Sequence, residues 1–113
     1  MHELSLVQGI IDLVTREAEK ANSKVVESLD IDIGVLSGIE MDPFLFAWEL
    51  SVPDTCLATA KPVINRIEGK AKCFECDNDF TLDTYSDPCP DCGGHLISIY
   101  QGKEFKVTSI TVS

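Results

Sequence analysis

The apolar and polar positions in the first third of the chain predict a helix followed by a strand. In residues 3–20 the apolar side chains recur at steps of three and four, which is the spacing of one buried helix face. Residues 25–35 alternate instead, with acidic residues and glycine on one side of the chain. The other side carries Leu29, Ile31, Ile33 and Val35. This period of two is typical of a half-buried strand.

Two further elements are expected before residue 70. Residues 42–50 are apolar nearly all round and predict a second helix, with Asp42 as its N-cap and Pro43 at the first helical position. Residues 57–68 predict a weaker strand. Because Pro62 cannot donate a ladder hydrogen bond, this strand is expected at an edge or a bulge.

The pattern changes in the last third of the chain. Residues 70–95 are rich in Cys, Asp and Pro and poor in aliphatic side chains, so they are not expected to build an apolar core without a further crosslink. The β-prone stretches on either side of Gly102 predict a hairpin. In its second strand the alternation of inward-facing apolar residues is interrupted between Val107 and Ile110, which suggests a bulge.

These elements predict an α+β fold, in which two helices pack on a three-stranded sheet and a cysteine-rich lobe of zinc-ribbon type is inserted. The expected division is one domain of residues 1–69 and 101–113 and a lobe of residues 70–100.

Charge and composition narrow the class of partner. The 113 residues include 9 basic and 19 acidic ones, for a net charge of −10. Phosphate binding relies on Lys and Arg, so nucleic acid and anionic membrane surfaces are disfavoured. The start of the chain has neither a basic nor an apolar signal region, which predicts a cytoplasmic protein. Five cysteines in a reducing compartment favour metal binding over disulfides.

Four of the cysteines form two Cys-x-x-Cys pairs, in "CFEC" and "CPDC". This spacing lets a tight turn direct both sulfurs of a pair at one ion, and two such turns complete a tetrahedron. The turns are followed by Gly-Gly in one pair and by Asp77 and Asn78 in the other, residue types that tolerate positive φ. The predicted metal ligands are Cys73, Cys76, Cys89 and Cys92.

Four thiolates select zinc or rubredoxin-type iron, and zinc is favoured as the common structural ion. The competing interpretation is two redox-active pairs, but a thioredoxin-like site needs one pair at a helix start. Cys56 lies outside the insert and is expected to be a small buried apolar residue without a role. His95 follows the second pair and is expected to be a surface or turn residue.

The chain opens with "MHELS", which brings several metal donors together. The α-amino nitrogen of Met1, the backbone amide and imidazole of His2, and a further amide or carboxylate from Glu3 could form fused chelate rings. Nickel(II) or copper(II) suits such a nitrogen-rich set. This requires that Met1 begin the mature chain. On the motif alone, the simpler interpretation is that His2 is an exposed polar residue in front of a helix.

Taken together, several segments resemble the HypA family of nickel-delivery proteins in hydrogenase and urease maturation. They are "MHELSLVQGII", "IGVLSGIEMDPFLFAWE", the two cysteine pairs, and "QGKEFKVTSITV". The similarity runs over essentially the whole chain in the same order. Neither the Met-His-Glu start nor the cysteine pairs would be specific alone.

The resemblance implies a metallochaperone that delivers Ni²⁺ during maturation of nickel–iron hydrogenase, or of urease, and that holds a structural Zn²⁺ on the four cysteines. The implied nickel site uses Met1, His2 and Glu3, with Glu40 as a further acidic residue nearby. The implied partners are a HypB-type GTPase and the immature large subunit of the hydrogenase. Some relatives have histidines flanking the cysteine pairs, whereas this chain offers only His95. The sequence leaves the oligomeric state open between a monomer and a homodimer.

Two other functions compete with nickel delivery. One is a zinc-ribbon adaptor that recognises proteins and transfers no nickel. The other is an enzyme, which is disfavoured because the chain shows no nucleophile–base set, no phosphate-binding glycine loop and only two histidines.

Overall fold

The computed structural model describes residues 3–113 and contains two helices and six strands in that range. In chain order they are α1 Glu3–Lys20, β1 Val26–Gly34, α2 Met41–Ser51, β2 Lys61–Ile67, β3 Gly69–Cys73, β4 Asp79–Leu82, β5 Ile97–Gln101 and β6 Phe105–Val112. The strands form two three-stranded sheets, in the orders β2-β1-β6 and β4-β3-β5. The predicted α+β class is confirmed. No helix in the described part of the chain is long and apolar enough to cross a bilayer.

The first helix and the first strand form where the apolar periods predicted them. The face of α1 that was expected to be apolar is buried, and α1 packs against α2. The buried residues of α1 are Val7, Ile10, Ile11, Val14 and Ala18. In β1 the side chains of Leu29, Ile31 and Ile33 are fully or almost fully buried, as the alternation required.

The second helix starts earlier than predicted. Glu40, and not Asp42, is the N-cap residue; its backbone is extended and its carboxylate makes no capping hydrogen bond. Asp42 lies in the first turn, where a carboxylate suits the helix dipole. Pro43 is tolerated at the third helical position because the first four N–H groups of a helix have no intrahelical partner.

The strand expected at residues 57–68 is shorter and begins at Lys61. The preceding residues are in turns, and Thr55 holds them there: its hydroxyl donates to the carbonyl oxygen of Val52 and accepts from the backbone N–H of Leu57. In the sheet, β2 lies at one edge. The edge position predicted from Pro62 is therefore confirmed.

The predicted interruption in the last strand is also present. Thr108 and Ser109 are consecutive and both exposed, which interrupts the alternation of β6. Both hydroxyls bond to Asp30: that of Thr108 donates to the backbone oxygen at 3.4 Å and that of Ser109 to the carboxylate at 2.6 Å.

The chain divides into two compact units. The first unit comprises the chain up to Ile31, Ile39–Ile64 and Val107–Ser113, and it contains both helices. The second unit comprises Asp32–Gly38 and Asn65–Lys106, and it contains the sheet β4-β3-β5 and the four cysteines of the two pairs. The second unit thus includes residues on both sides of the 70–100 segment.

The second unit has an apolar core of its own, which residues 70–95 build together with side chains from outside that segment. Its buried cluster consists of Leu36, Ala71, Cys73, Phe80, Leu82 and Cys89. Val35, Ile97 and Ile99, all outside residues 70–95, pack against it. The core is small and two of its members are cysteines, so a further crosslink is still expected.

The predicted hairpin around Gly102 is wrong. β5 pairs antiparallel with β3, whereas β6 belongs to the sheet of β1. The connecting residues bond to the end of β1: the N–H of Leu36 donates to the Gly102 oxygen, and the N–H of Gly34 to the Glu104 oxygen, both at 2.7 Å. Glycine is required at Gly34, because a side chain there would overlap the Gly102 carbonyl group. These contacts replace the expected hairpin pairing.

Candidate metal centre

The two Cys-x-x-Cys segments fold as equivalent turns. In the first, the backbone N–H of Asp77 donates to the Cys73 oxygen at 3.0 Å; in the second, that of Gly93 donates to the Cys89 oxygen at 2.8 Å. Asp77 and Gly93 occupy matching positions and both have positive φ, 60° and 72°. The expectation that Asp77 can take the place of a glycine is confirmed.

A second pair of hydrogen bonds closes each turn. The N–H of Cys73 donates to the Asn78 oxygen, and the N–H of Cys89 donates to the Gly94 oxygen, both at 2.9 Å. The burial matches as well: the first cysteine of each pair is buried and the second is exposed. Each turn therefore presents one sulfur from inside the unit and one from its surface.

The four sulfurs converge on one point. All of them lie within 4.8 Å of one another, and the sulfur–sulfur distances Cys73–Cys92 and Cys76–Cys89 are both 3.6 Å. A disulfide would require about 2.05 Å. Four thiolates about 2.3 Å from a tetrahedral ion lie about 3.8 Å apart, close to what is found here. The arrangement fits a tetrahedral metal–thiolate centre.

Two hydrogen-bond donors lie close to the sulfurs. The N–H of Glu75 donates to the Cys73 sulfur at 3.4 Å, and the side-chain amide of Asn78 lies 3.9 Å from the Cys89 sulfur. Such donors stabilise the negative charge that four thiolates bring to a metal. The contribution of the Asn78 amide was not predicted from the sequence, because the position of Asn78 after the turn indicated only a tolerance of positive φ.

The side chain of Glu75, from the first turn, lies close to Gly94 of the second. A side chain at Gly94 would overlap the Glu75 carboxylate and would lie 3.3 Å from the Cys92 sulfur. The second glycine of "CPDCGG" therefore leaves room for a residue of the other turn. The Gly-Gly pair has two separate functions, positive φ at Gly93 and close packing at Gly94.

Burial and hydrogen bonds give the thiols of Cys89 and Cys76 different pKa values. Burial is the largest effect at Cys89 and raises its pKa, but the backbone N–H groups of Cys92 and Asp91 oppose it. Together with the neighbouring thiols they lower the pKa of Cys89 to about 7. At Cys76 the backbone N–H of Asn78 is the largest effect and lowers the pKa, yet desolvation and the other three thiols raise it to about 12. Negative charge therefore forms on the Cys89 sulfur at lower pH than on the Cys76 sulfur.

The remaining cysteine and the described histidine lie outside this cluster. Cys56 is half-buried and its sulfur lies 3.6 Å from the hydroxyl of Thr15. His95 is exposed in the irregular segment that precedes β5. Within residues 3–113, the four cysteines are the one group of three or more potential ligand residues close enough to share an ion.

The structure describes only part of the amino-terminal site predicted from "MHELS". Met1 and His2 lie outside the described residues. Glu3 is half-buried at the start of α1, and Glu40 is exposed at the start of α2. These two helices pack against each other in the first unit. The nickel ligand set as a whole stays a prediction.

Comparison with known proteins places the whole chain in one family. Residues 1–112 match the family described as hydrogenase/urease nickel incorporation, metallochaperone, HypA. A hydrogenase maturation factor HypA from Parabacteroides distasonis is 38% identical over 112 residues, which cover 99% of this chain and 97% of that protein. The factor of the same name from Rhodopseudomonas palustris is 36% identical over 99% of both chains.

Two solved structures share the fold. The solution structure of the nickel metallochaperone HypA from Helicobacter pylori aligns with a TM-score of 0.68 and 24% identity over 99% of this chain and 97% of that one. A second solution structure of a HypA protein aligns with a TM-score of 0.72 and 24% identity over 100% of this chain and 97% of that one. At this level of identity the match establishes the fold.

Proposed function

The chain belongs to the HypA family of nickel-incorporation metallochaperones, and we propose that it delivers Ni²⁺ during the maturation of nickel–iron hydrogenase. The full-length family match carries this proposal. The family is one of metallochaperones, so the prediction of a non-catalytic protein is confirmed. Urease is a second candidate target, because the family description names both enzymes.

We assign a structural Zn²⁺ to Cys73, Cys76, Cys89 and Cys92. The sulfur distances suit a tetrahedral ion and leave no coordination position for an exchanging ligand. Two of the sulfurs are buried in the core of the second unit, so release of the ion would expose that core. Such a site holds the unit folded and is poorly suited to passing on a cargo ion.

The cargo ion therefore needs a separate site, which we place at the amino terminus. The α-amino group of Met1 and the amide and imidazole nitrogens of His2 would provide fused chelate rings, and Glu3 a further nitrogen or oxygen. Such a nitrogen-rich set matches the preference of Ni²⁺. Glu40 is a candidate for an additional acidic ligand, because its carboxylate is exposed and makes no N-capping hydrogen bond.

The proposed partners are a HypB-type GTPase and the immature large subunit of the hydrogenase, in the cytoplasm. Such association would be aided by electrostatic attraction between the net charge of −10 and a positive partner surface. Its rate should fall as salt rises, because exposed charges are screened beyond about 8 Å at physiological ionic strength.

The two histidines of the chain provide a matched test. His2→Ala should abolish tight nickel binding measured by calorimetry on untagged, zinc-loaded protein, whereas His95→Ala should leave it unchanged. Zinc content should stay at one ion per chain in both variants. A zinc-ribbon adaptor would bind no nickel in any form, and equal nickel binding by both variants would exclude the amino-terminal site.

A further inference from the structure

The two helices of the first unit differ on their exposed sides. In α1 most of the exposed positions are polar or charged. In α2 one side is buried through Phe44 and Trp48, but the exposed side is apolar as well and includes Leu45, Phe46 and Leu50. A surface helix normally carries polar side chains opposite its buried face. The exposed side of α2 is therefore available for contact with a partner.

The exposed apolar residues of α2 lie close together. Phe46 and Leu50 are 63% and 64% exposed. They are four residues apart, which places them one above the other on the same side of the helix. Leu45 precedes Phe46 and is exposed too. Clustered apolar side chains at the surface of a soluble protein mark interaction sites, whereas single ones do not.

Every charged residue in this part of the chain is acidic. Residues 39–60 contain no Lys, Arg or His, but they contain the four acidic residues Glu40, Asp42, Glu49 and Asp54. None of these carboxylates makes an ion pair with another residue in the range 3–113. Asp42 and Glu49 are each three or four residues from both Leu45 and Phe46, so they lie next to these side chains on the helix surface. Apolar groups and unpaired negative charge therefore share the exposed side of α2.

The rest of the first unit does not offset this charge. The unit contains ten acidic and four basic residues. The basic ones lie on α1, in the segment that follows it and at the start of β2. One of them, Lys20, already pairs with Glu17 at 3.2 Å. A molecule that approaches α2 meets a negative potential.

Charge and backbone geometry limit what can bind to α2. A second copy of the chain, docked through the same surface, would bring the carboxylates of two α2 helices together, which is unfavourable. An anionic membrane surface is disfavoured for the same reason. The backbone groups of a helix bond to each other, so α2 offers no edge to an added strand. The row formed by Phe46 and Leu50, with its spacing of four residues, is instead the kind of ridge that packs into a groove of another helix.

We propose that the exposed side of α2, made of Asp42, Leu45, Phe46, Glu49 and Leu50, is a docking surface for an amphipathic helix of a partner protein in which lysine or arginine flanks an apolar stripe. The apolar stripe packs on Phe46 and Leu50, and the basic side chains pair with Asp42 and Glu49. An acidic helix would meet like charge here, which gives the surface its selectivity. The proposal is independent of nickel binding.

The test is an NMR titration of zinc-loaded, full-length protein with three designed peptides of about fourteen residues, long enough to span the 11 residues of α2. The basic peptide has leucines at steps of three and four and lysines on both sides of them. The acidic peptide has glutamate in place of lysine, and the scrambled peptide distributes the same leucines and lysines around the helix.

The basic peptide should shift the amide signals of residues 42–54 in a saturable manner, with a Kd below about 1 mM at low salt. Its affinity should fall as salt is added, because exposed charges are screened. The acidic and the scrambled peptide should each bind at least about fivefold more weakly, the first for lack of charge complementarity and the second for lack of an apolar stripe.

Matched variants locate the binding site. Phe46→Ser combined with Leu50→Ser, and Asp42→Asn combined with Glu49→Gln, should each weaken binding of the basic peptide about fivefold or more. All four side chains are exposed, so zinc content and the dispersion of the amide signals should not change.

The control variants lie elsewhere on the surface. Leu96→Ser removes an apolar side chain of the second unit that is 65% exposed, close to the value for Phe46. Glu27→Gln combined with Glu68→Gln removes two exposed carboxylates, so it changes the net charge as much as the double variant in α2 does. Both controls should bind the basic peptide within about twofold of the unchanged protein.

Three results would overturn the proposal. The first is the absence of saturable shifts at residues 42–54. The second is equal binding of the basic peptide and either of its counterparts, or equal losses in the α2 variants and their controls. The third is concentration-dependent broadening of the α2 signals without peptide, which would show that a second copy of the chain occupies this surface.

Discussion

The cores of the two units of this protein differ in size and in residue composition. The first unit buries a large set of aliphatic and aromatic side chains from both helices and from β1, among them Val14, Ile31, Phe44 and Trp48. The core of the second unit has four apolar residues and two cysteines, with three partly buried side chains around it. Since burial of apolar surface is the main driving force of folding, the first unit can depend on it and the second cannot.

This difference explains where the metal site is. The cysteines Cys73 and Cys89 are both core residues and proposed ligands, so the proposed zinc ion extends the core of the second unit with coordinate bonds. The first unit needs no such support. Damage to either core should therefore affect the two units differently.

Removal of a zinc ligand should have the largest effect. Cys73→Ser or Cys92→Ser should lower the zinc content from one ion per chain to nearly none and unfold the second unit, because folding and metal binding are linked there. The amide signals of α1 and α2 should keep their dispersion in NMR spectra. Retention of full zinc by both variants, or simultaneous unfolding of the helices, would contradict the contrast.

A cavity in the core of the first unit should destabilise that unit and leave the second unit intact. Phe44 is fully buried, and Phe44→Ala should destabilise the first unit by about 3–5 kcal/mol while the second unit keeps its zinc. Phe46→Ala, on the same helix, replaces a side chain that is 63% exposed and should change stability by less than about 0.5 kcal/mol. Denaturant unfolding followed by the fluorescence of the buried Trp48 measures both. A loss of zinc in Phe44→Ala at low denaturant would show that the two cores are not separate.

Zinc affinity should decrease as pH falls. A metal binds thiolates, so each proton that zinc must displace weakens the apparent affinity about tenfold per pH unit. The thiol of Cys76, with a pKa of about 12, is protonated throughout the range from pH 6 to 8. Cys89, with a pKa of about 7, is mainly a thiolate at pH 8 and mainly a thiol at pH 6.

The dependence should therefore be steeper below pH 7 than above it, by about one further proton per zinc ion. Competition with a chromophoric chelator across this range measures the slope. A slope that stays the same on both sides of pH 7 would show that the Cys89 thiol does not titrate near pH 7.

The smallest effects should come from two glycines that have open space around the position of a side chain. Gly9 lies within α1, and Gly9→Ala should stabilise the first unit by about 0.5–1 kcal/mol. Gly93 has a φ of 72°, and Gly93→Ala should destabilise the second unit by about 1 kcal/mol, because alanine disfavours positive φ. Thermal unfolding of the zinc-loaded variants should show opposite signs. A stabilising effect of Gly93→Ala would show that the positive φ at this position does not disfavour a side chain.

Local patterns in the sequence predicted local structure well. The period of α1, the alternation of β1, the edge position of β2 and the positive φ of Asp77 each depend on neighbours in the chain, and the structure has all of them. The match between Asp77 and Gly93 could be predicted because residues at the same place in two Cys-x-x-Cys turns meet the same steric demand.

Features that depend on distant partners were missed. The alternation on either side of Gly102 indicated two strands but not which strands they pair with, and the predicted hairpin was wrong. The contribution of Leu36 to the core of the second unit, and the hydrogen bond that its carbonyl accepts from the Tyr85 hydroxyl at 2.8 Å, join residues far apart in sequence. The start of α2 was misplaced because the N-cap residue, Glu40, makes no side-chain capping hydrogen bond and is not of a type that marks a helix start.

The most direct test of nickel delivery concerns the amino terminus itself. Calorimetry should compare zinc-loaded protein that begins at Met1 with protein that carries one additional glycine before Met1. Every side chain is the same in the two proteins, but the α-amino nitrogen of Met1 becomes an amide and its chelate ring is lost. We expect tight nickel binding by the first protein and its near-complete loss in the second, with zinc content unchanged. Equal nickel affinity of the two proteins would contradict the proposed site.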